Sequence, residues 1–158
     1  MSPEKSDNLL SLLNISVKAG GTSILEDFSL DVSKGERLAL LGRNGSGKTT
    51  LLNTISGIRK PFSGSVSLEG QIGVVFQNPD SALFCSTIEE NLALPLQSLS
   101  LARSEIVERI KLFISRFDLT GIRGRDILTL SGGQRQLVSL AAALISEPDL
   151  LLLDEPLS

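Results

Sequence analysis

The stretch "GRNGSGKTT", residues 42–50, decides the fold of this chain. It satisfies the pattern G-x-x-x-x-G-K-[ST] and stands between the apolar run "RLALL" and a segment with helical spacing of apolar residues. Glycines let successive backbone N–H groups curve around phosphate oxygens, and the positive end of the following helix faces the same anion. The alternative is a glycine-rich turn that binds nothing, and the full match between strand and helix disfavours it.

This phosphate loop predicts specific roles for its side chains. Lys48 would reach the β and γ phosphates of a nucleotide, and the hydroxyl of Thr49 would bind Mg²⁺. We therefore predict that a nucleotide is bound by Gly42, Asn44, Gly45, Ser46, Gly47, Lys48, Thr49 and Thr50.

A second motif comes at the end of the sequence, where residues 149–155 read "DLLLLDE". A continuous apolar run is typical of a buried parallel strand, which would present Asp154 at the carboxyl edge of the sheet beside the phosphate loop. Asp154 would hold Mg²⁺ through water, and Glu155 would orient and deprotonate the attacking water. Pro156 would end the strand. Two acids that only mark a strand end are the alternative, which the upstream phosphate loop disfavours.

Composition excludes several classes of protein. The chain has 158 residues, a net charge of -3 and no histidine, which fits one domain and disfavours a nucleic-acid binder. It has no apolar run of the roughly 20 residues that a membrane span needs, and its first residues do not resemble a signal peptide. The single cysteine, Cys85, is interpreted as a small apolar filler. The sequence is therefore interpreted as cytosolic.

Periodicity predicts the order of the elements. Strands are expected at "LLNISV", "FSLDV" and the buried "RLALL", then a helix over "KTTLLNTISGI", a surface strand in "KPFSGSVSLEG" and an apolar strand "IGVVF". Helices are expected over residues 103–117 and 134–145, the second ending before Pro148.

A third motif, "LSGGQRQ" at residues 130–136, contains a capping box. Ser131 is the expected N-cap and Gln134 follows three residues later. The two glycines beside the cap would let the helix N-terminus approach an anion closely. A helix that is only well capped is the alternative interpretation.

Together, "GRNGSGKTT", "LSGGQ" and "LLLLDEP" closely resemble the nucleotide-binding domain of ATP-binding cassette (ABC) transporters. The likeness extends to "VVFQNPDSALFCSTIEENLAL" and covers nearly the whole chain. It implies ATP and Mg²⁺ as cofactors, and two cassettes packed head to tail. It further implies that Gln77 senses Mg²⁺ and the attacking water. The implied catalytic residues are therefore Lys48, Gln77 and Glu155. The implied metal-site residues are Thr49, Gln77 and Asp154. The residues implied to bind the γ-phosphate of the opposite cassette are Ser131, Gly132, Gly133 and Gln134.

The resemblance implies an α/β fold: a P-loop NTPase (RecA-like) core with an N-terminal antiparallel β subdomain and an inserted α-helical subdomain, incomplete at the C-terminus. Residues 1–79 would form the first part of the core, residues 80–135 the helical subdomain, and residues 136–158 the return to the core. The implied function is that of the ATP-hydrolysing subunit of a transporter. Its implied partners are a second ABC ATPase subunit, in a homodimer or heterodimer, and a transmembrane permease, with no nucleic acid. It would lie on the cytoplasmic face of a membrane.

A narrower resemblance favours uptake. "FQNPDSALFCSTIEENL" is similar to the ATPases of energy-coupling-factor systems for cobalt, nickel and vitamins, in which this region faces a membrane partner. Ala142, where many cassettes carry arginine, fits that group loosely.

Three departures from the family pattern stand out. Ala19 takes the position where the family stacks an aromatic ring on adenine. Ser158 matches the first residue of the family's D-loop, but the remainder of that loop is absent. The third departure is the missing switch histidine, since the sequence contains no histidine. The expectation is a cassette cut off after its catalytic glutamate.

Other functions remain in view. A chromosome-maintenance or DNA-repair ATPase would need a long coiled coil between phosphate loop and signature, and no heptad run lies there. A translation-factor cassette stays an alternative, as does an inactive truncated fragment. A regulatory, binding-only cassette would be expected to lose Lys48, Asp154 or Glu155, and all three are intact.

Overall fold

The computed structural model describes residues 8–155. It contains two compact units, of which the first ends at Gln71 and the second begins at Ile72. The first unit holds an antiparallel sheet and the phosphate loop, and the second holds a helical cluster and a parallel strand pair. The finer division at residues 79 and 135 stays a prediction. Pro156 and Ser158, to which the sequence assigned a strand end and a D-loop, lie outside the described residues.

The sheet of the first unit has the strand order β2-β1-β3, with every neighbour antiparallel. Its strands are β1 (Asn8–Ala19), β2 (Thr22–Ser33) and β3 (Ser63–Leu68). The strands expected at "LLNISV", "FSLDV" and "KPFSGSVSLEG" and the turn between the first two are confirmed.

Strand β1 supplies most of the buried side chains of this sheet. Leu10 and Leu12 alternate inward, and Ile15 and Val17 do so after a register shift that begins past Leu12. Asn14, with a φ of 51°, lies at that irregularity. A bulge of this kind changes the parity of the alternation, so both apolar pairs face the core.

The prediction of a buried strand at "RLALL" is wrong. Residues 37–41 have no strand assignment, and Leu38 and Leu41 are 45% and 93% exposed. An apolar run shows that a segment is suited to burial, but a strand also needs hydrogen-bonding neighbours. Among residues 8–155, no strand pairs with this segment.

Helix α1 (Lys48–Ile55) follows the phosphate loop. The predicted helix continued to Ile58, but the observed one ends three residues earlier, where Gly57 has a φ of 78°. Leu51 and Ile55 are buried, and Ile58 is largely exposed. A glycine in the left-handed region just past the last turn is a common helix stop.

The second unit contains a parallel pair of strands, β4 (Ile72–Val75) and β5 (Leu150–Leu153). Their register matches Ile72 with Leu150 and Val75 with Leu153 without a shift. The prediction of a parallel strand in the leucine run is confirmed.

Within residues 72–155, the second unit also contains three helices and short 3₁₀ turns. They are α2 (Ile88–Ala93), α3 (Arg103–Arg116) and α4 (Gly132–Leu144). The last two were predicted, and α2 was missed although Thr87 and Glu90 form a capping box there. The helices enclose an apolar cluster that includes Ile88, Leu92, Leu96, Ile110, Phe113, Ile114, Leu119, Val138 and Ile145.

Candidate functional site

The phosphate loop has a backbone that requires glycine at defined positions. Gly47 has a φ of 94°, and a Cβ there would lie 3.1 Å from Ile24 and 3.2 Å from Leu25. A Cβ on Gly42 would come within 2.6 Å of the Ser46 hydroxyl oxygen. The loop is thus shaped by close approach as well as by left-handed backbone, as expected for a chain that wraps an anion.

Lys48 turns its ammonium group back into this loop. Its Nζ donates to the carbonyl oxygens of Gly42 at 3.0 Å and Arg43 at 3.3 Å. Helix α1 begins at Lys48 with Gly47 as N-cap and no side-chain cap. A flexible ammonium and an uncapped helix N-terminus therefore face one concave backbone, which is the donor arrangement that phosphate groups use.

Other predicted loop residues are arranged around the same turn. Ser46 donates its backbone N–H to the Arg43 carbonyl at 3.1 Å. Asn44 and Gly45 are exposed at the tip of the loop, Thr49 is exposed in the first turn of α1, and Thr50 is half-buried. All of these belong to the first unit.

The second unit brings Gln77 and Glu155 together. The Gln77 Nε2 donates to Glu155 Oε2 at 2.9 Å. The parallel register ends at the pair Val75 and Leu153, so each of the two polar residues stands two positions beyond its strand. The hydrogen bond shows that both side chains lie at the same end of the strand pair.

Asp154 and Glu155 differ in environment although they are adjacent. Asp154 is buried, 8% exposed, and its N–H donates to the Val75 carbonyl at 2.9 Å, which extends the strand pairing. Glu155 is exposed and has a φ of 46°. A non-glycine residue in the left-handed region is uncommon, and such backbone is concentrated at functional sites.

The signature motif forms the predicted capping box at the start of α4. The Ser131 N–H donates to Gln134 Oε1 at 3.0 Å, and the Gln134 N–H donates to Ser131 Oγ at 3.3 Å. Ser131, Gly132 and Gly133 are all exposed. The capping box is therefore confirmed, and the two glycines at the helix start are open to a ligand.

A groove of about 590 Å³ lies beside the signature motif and the end of β4. Gln77, Gly132 and Gly133 all line this groove. The structure thus brings Gln77 to Glu155 and to a groove that the signature glycines also line.

Sequence reasoning missed the polar residues that shape this region. Asn91 is 2% exposed, accepts the N–H groups of Phe84 and Cys85, and donates to the carbonyls of Cys85 and Thr87. Asp80 forms an ion pair with Arg135. The capping-box pattern T-x-x-E before Asn91 was the available signal for the first of these, and no local pattern marks the second.

Residues 25–158 match the sequence profile of the ABC transporter family. The chain belongs to this family. Its ABC relatives include a protein of Brucella suis assigned as an ABC transporter ATP-binding protein, 42% identical over 162 residues that cover 94% of this chain and 67% of the relative. The energy-coupling factor transporter ATP-binding protein EcfA1 of Lacticaseibacillus paracasei is 35% identical over 159 residues, covering 92% of this chain and 57% of EcfA1. The chain thus spans about two thirds or less of these ABC proteins.

Solved ABC structures show the same fold. CbiO1 from Clostridium perfringens, part of the ABC transporter complex CbiONQ, superposes with a TM-score of 0.77 at 29% identity, covering 94% of this chain and 65% of CbiO1. A dimeric ATP-binding cassette in a post-hydrolysis state, bound to ADP and Pi, superposes with a TM-score of 0.83 at 28% identity, covering 94% of this chain and 74% of that one. The expected P-loop NTPase fold with an antiparallel β part and a helical part is therefore confirmed.

None of the helices within residues 8–155 combines the length and apolar character needed to cross a bilayer.

Proposed function

We propose that this chain is the ATP-binding and ATP-hydrolysing part of an ABC transporter subunit. The observation that carries the proposal is the hydrogen bond between Gln77 and Glu155. It joins two side chains that lie 78 positions apart in the sequence. They are the side chains expected to position and deprotonate the attacking water. Acidic residues that only mark the end of a strand would not require this pairing.

Glu155 is the proposed general base. An exposed carboxylate on strained backbone at a strand end can accept a proton from water, and Gln77 holds one of its oxygens in place. Gln77 also retains its amide oxygen as an acceptor, which can orient the same water. The pair therefore supplies both the base and the positioning group that phosphoryl transfer to water needs.

ATP with Mg²⁺ fits the residues present. Side chains crowd the Cβ positions of Gly42 and Gly47, Gly47 has a left-handed φ of 94°, and the Lys48 ammonium points into the loop. The Thr49 hydroxyl, the Gln77 amide oxygen and the Asp154 carboxylate are the proposed Mg²⁺ residues, because Mg²⁺ takes oxygen ligands and few protein carboxylates. When bound, the ion would neutralise charge on the phosphates.

The proposed assembly is a head-to-tail dimer of ATPase subunits with a transmembrane permease, at the cytoplasmic face of a membrane. Ser131, Gly132 and Gly133 are exposed at an intact helix N-terminus, which suits an anion bound by another subunit. The solved relatives support this assembly, since one is a dimer bound to ADP and Pi and another is part of a transporter complex. Uptake is the proposed direction, supported by the similarity to an energy-coupling factor ATPase.

Nucleotide binding by the full-length gene product tests the proposal. Lys48→Ala should weaken ATP binding at least about tenfold, because a hydrogen bond to a charged group contributes about 1.5 to 3 kcal/mol. Titration with a fluorescent ATP analogue measures the dissociation constant. Lys34→Ala is the matched control, since Lys34 is an exposed lysine of the same unit whose partner is Glu69 at 3.9 Å. Equal affinities in both variants would contradict the proposed phosphate loop.

A further inference from the structure

Arg135 in the first turn of α4 is tied to the segment before the signature motif. Its guanidinium NH1 donates to the Leu130 carbonyl at 2.9 Å. Leu130 immediately precedes Ser131, the N-cap of the helix. Arg135 belongs to α4 and bonds to Leu130, which precedes the N-cap, so it connects the backbone on both sides of the cap.

The other edge of the guanidinium faces Asp80. Arg135 Nε lies 3.0 Å from Asp80 Oδ1, at ion-pair distance although without the alignment of a hydrogen bond. The Arg135 side chain is 26% exposed and its Nε is buried, whereas Asp80 is 57% exposed. A buried edge of a cation requires a compensating charge, and Asp80 supplies it.

Asp80 is itself part of a stiff turn, the 3₁₀ segment Pro79–Ser81. The Asn78 side chain accepts the Asp80 N–H at 3.0 Å, and the Asn78 carbonyl accepts the Ser81 N–H at 3.1 Å. Proline at the first position of the turn removes further backbone freedom. This turn begins two residues after Gln77, so a force on Asp80 is transmitted to Gln77 through few rotatable bonds.

We propose that the Arg135–Asp80 ion pair is a positioning device that couples the signature motif to Gln77. The proposal rests on the proposed function, because Gln77 has a catalytic role only there. Arg135 lines the groove that Gln77 and the signature glycines also line. A phosphate group bound at Gly132 and Gly133 fixes α4, and Arg135 passes that constraint to the turn that carries Gln77 and hence to Glu155. Arg135 and Asp80 act in this proposal as positioning residues, through the turn that carries Gln77.

Steady-state ATP hydrolysis by the full-length gene product gives the first test. Asp80→Ala and Arg135→Ala should each lower kcat about tenfold, within the range of typical coupling between sites, with KM for ATP changed less than about twofold. The double variant should be no slower than Arg135→Ala, since both substitutions break the same ion pair. Asp80→Glu, which keeps the charge, should restore most of the rate. Glu108→Ala removes an exposed pair with Lys111 at 2.7 Å and serves as the control.

Additive losses in the double variant, or an unchanged kcat in Asp80→Ala, would overturn the proposal. If the unaltered protein did not hydrolyse ATP, the proposed function would fail, and a second readout would still decide the coupling. Hydrogen exchange at the amides of Asp80, Ser81 and Ala82 should accelerate about tenfold in Arg135→Ala, with protection in α3 unchanged. Loss of protection in α3 would mean that Arg135→Ala disturbs the helical cluster. The same exchange measurement would then be made on Asp80→Ala, because Asp80 is the more exposed residue of the pair. Unchanged exchange at the turn would overturn the coupling.

Discussion

Gln77 and Glu155 are hydrogen-bonded at 2.9 Å because they occupy equivalent positions past two parallel strands in exact register. The register carries on past the last strand pair, since the Asp154 N–H donates to the Val75 carbonyl. Asp154 therefore remains part of the pairing and is buried, and Glu155 emerges on the side of Gln77. A shift of one residue in the register would turn Glu155 away and present Asp154 in its place.

Replacing Gly47 tests the backbone of the phosphate loop. Gly47→Ala puts a side chain on left-handed backbone and within 3.2 Å of Ile24 and Leu25. We expect a loss of about 1 to 3 kcal/mol in the free energy of unfolding and a weaker ATP complex. Urea unfolding and ATP titration measure the two effects. Gly124→Ala, where no atom lies within 4 Å of a new Cβ, is the control and should change neither.

The two capping boxes separate a structural role from a binding role. Ser131→Ala and Thr87→Ala each remove one N-cap, and each should lower the free energy of unfolding by about 1 kcal/mol. Only Ser131→Ala should also weaken ATP-dependent dimerisation, because Ser131 belongs to the proposed anion site. Size-exclusion chromatography with light scattering measures the dimer. Equal dimerisation by both variants would show that Ser131 acts only as a helix cap.

Asn91 organises the loop from Phe84 to Thr87, and its replacement should lower the free energy of unfolding. Asn91→Ala leaves the partly buried N–H groups of Phe84 and Cys85 without their acceptor. We expect a loss of about 2 to 4 kcal/mol in the free energy of unfolding, measured by urea denaturation. The exposed Gln97→Ala in the following turn should stay within about 0.5 kcal/mol of the unaltered protein. A loss below about 1 kcal/mol for Asn91→Ala would show that water replaces the side chain.

Ala19 marks a position where an aromatic ring should strengthen nucleotide binding. It is the last residue of β1 and is half-buried opposite Thr22. Stacking of a base on an aromatic ring contributes about 1 to 3 kcal/mol in nucleic-acid sites, so Ala19→Tyr should tighten ATP binding at least about fivefold. Affinity for tripolyphosphate, which has no base, should not change. Equal affinities of Ala19→Tyr and the unaltered protein for ATP would place adenine elsewhere.

Local patterns predicted most of the elements. The phosphate loop, the Ser131 capping box and the parallel leucine strand each combine a backbone requirement with a side-chain requirement, so a short stretch of sequence identifies them. The exposed residues 37–41 show the limit of this reasoning. Their apolar run predicted a buried strand, but pairing depends on neighbours that no local pattern specifies.

The polar contacts of the site were less predictable. Gln77 was placed in the site only by resemblance, and its bond to Glu155 depends on the register between β4 and β5. The ion pair of Asp80 with Arg135 joins residues far apart in sequence that share no motif. Such contacts follow from the packing of elements, whereas sequence periodicity reports only the face that each element buries.

Glu155→Gln in the full-length gene product is the measurement that tests the central claim most directly. The amide keeps an oxygen that can accept from Gln77 but cannot take a proton from water, so the variant should bind ATP with unchanged affinity. It should form a stable ATP-dependent dimer and lose at least about 100-fold in hydrolysis rate, whereas Glu108→Gln should match the unaltered protein. Hydrolysis by Glu155→Gln at the unaltered rate would contradict the assignment of Glu155 as the general base.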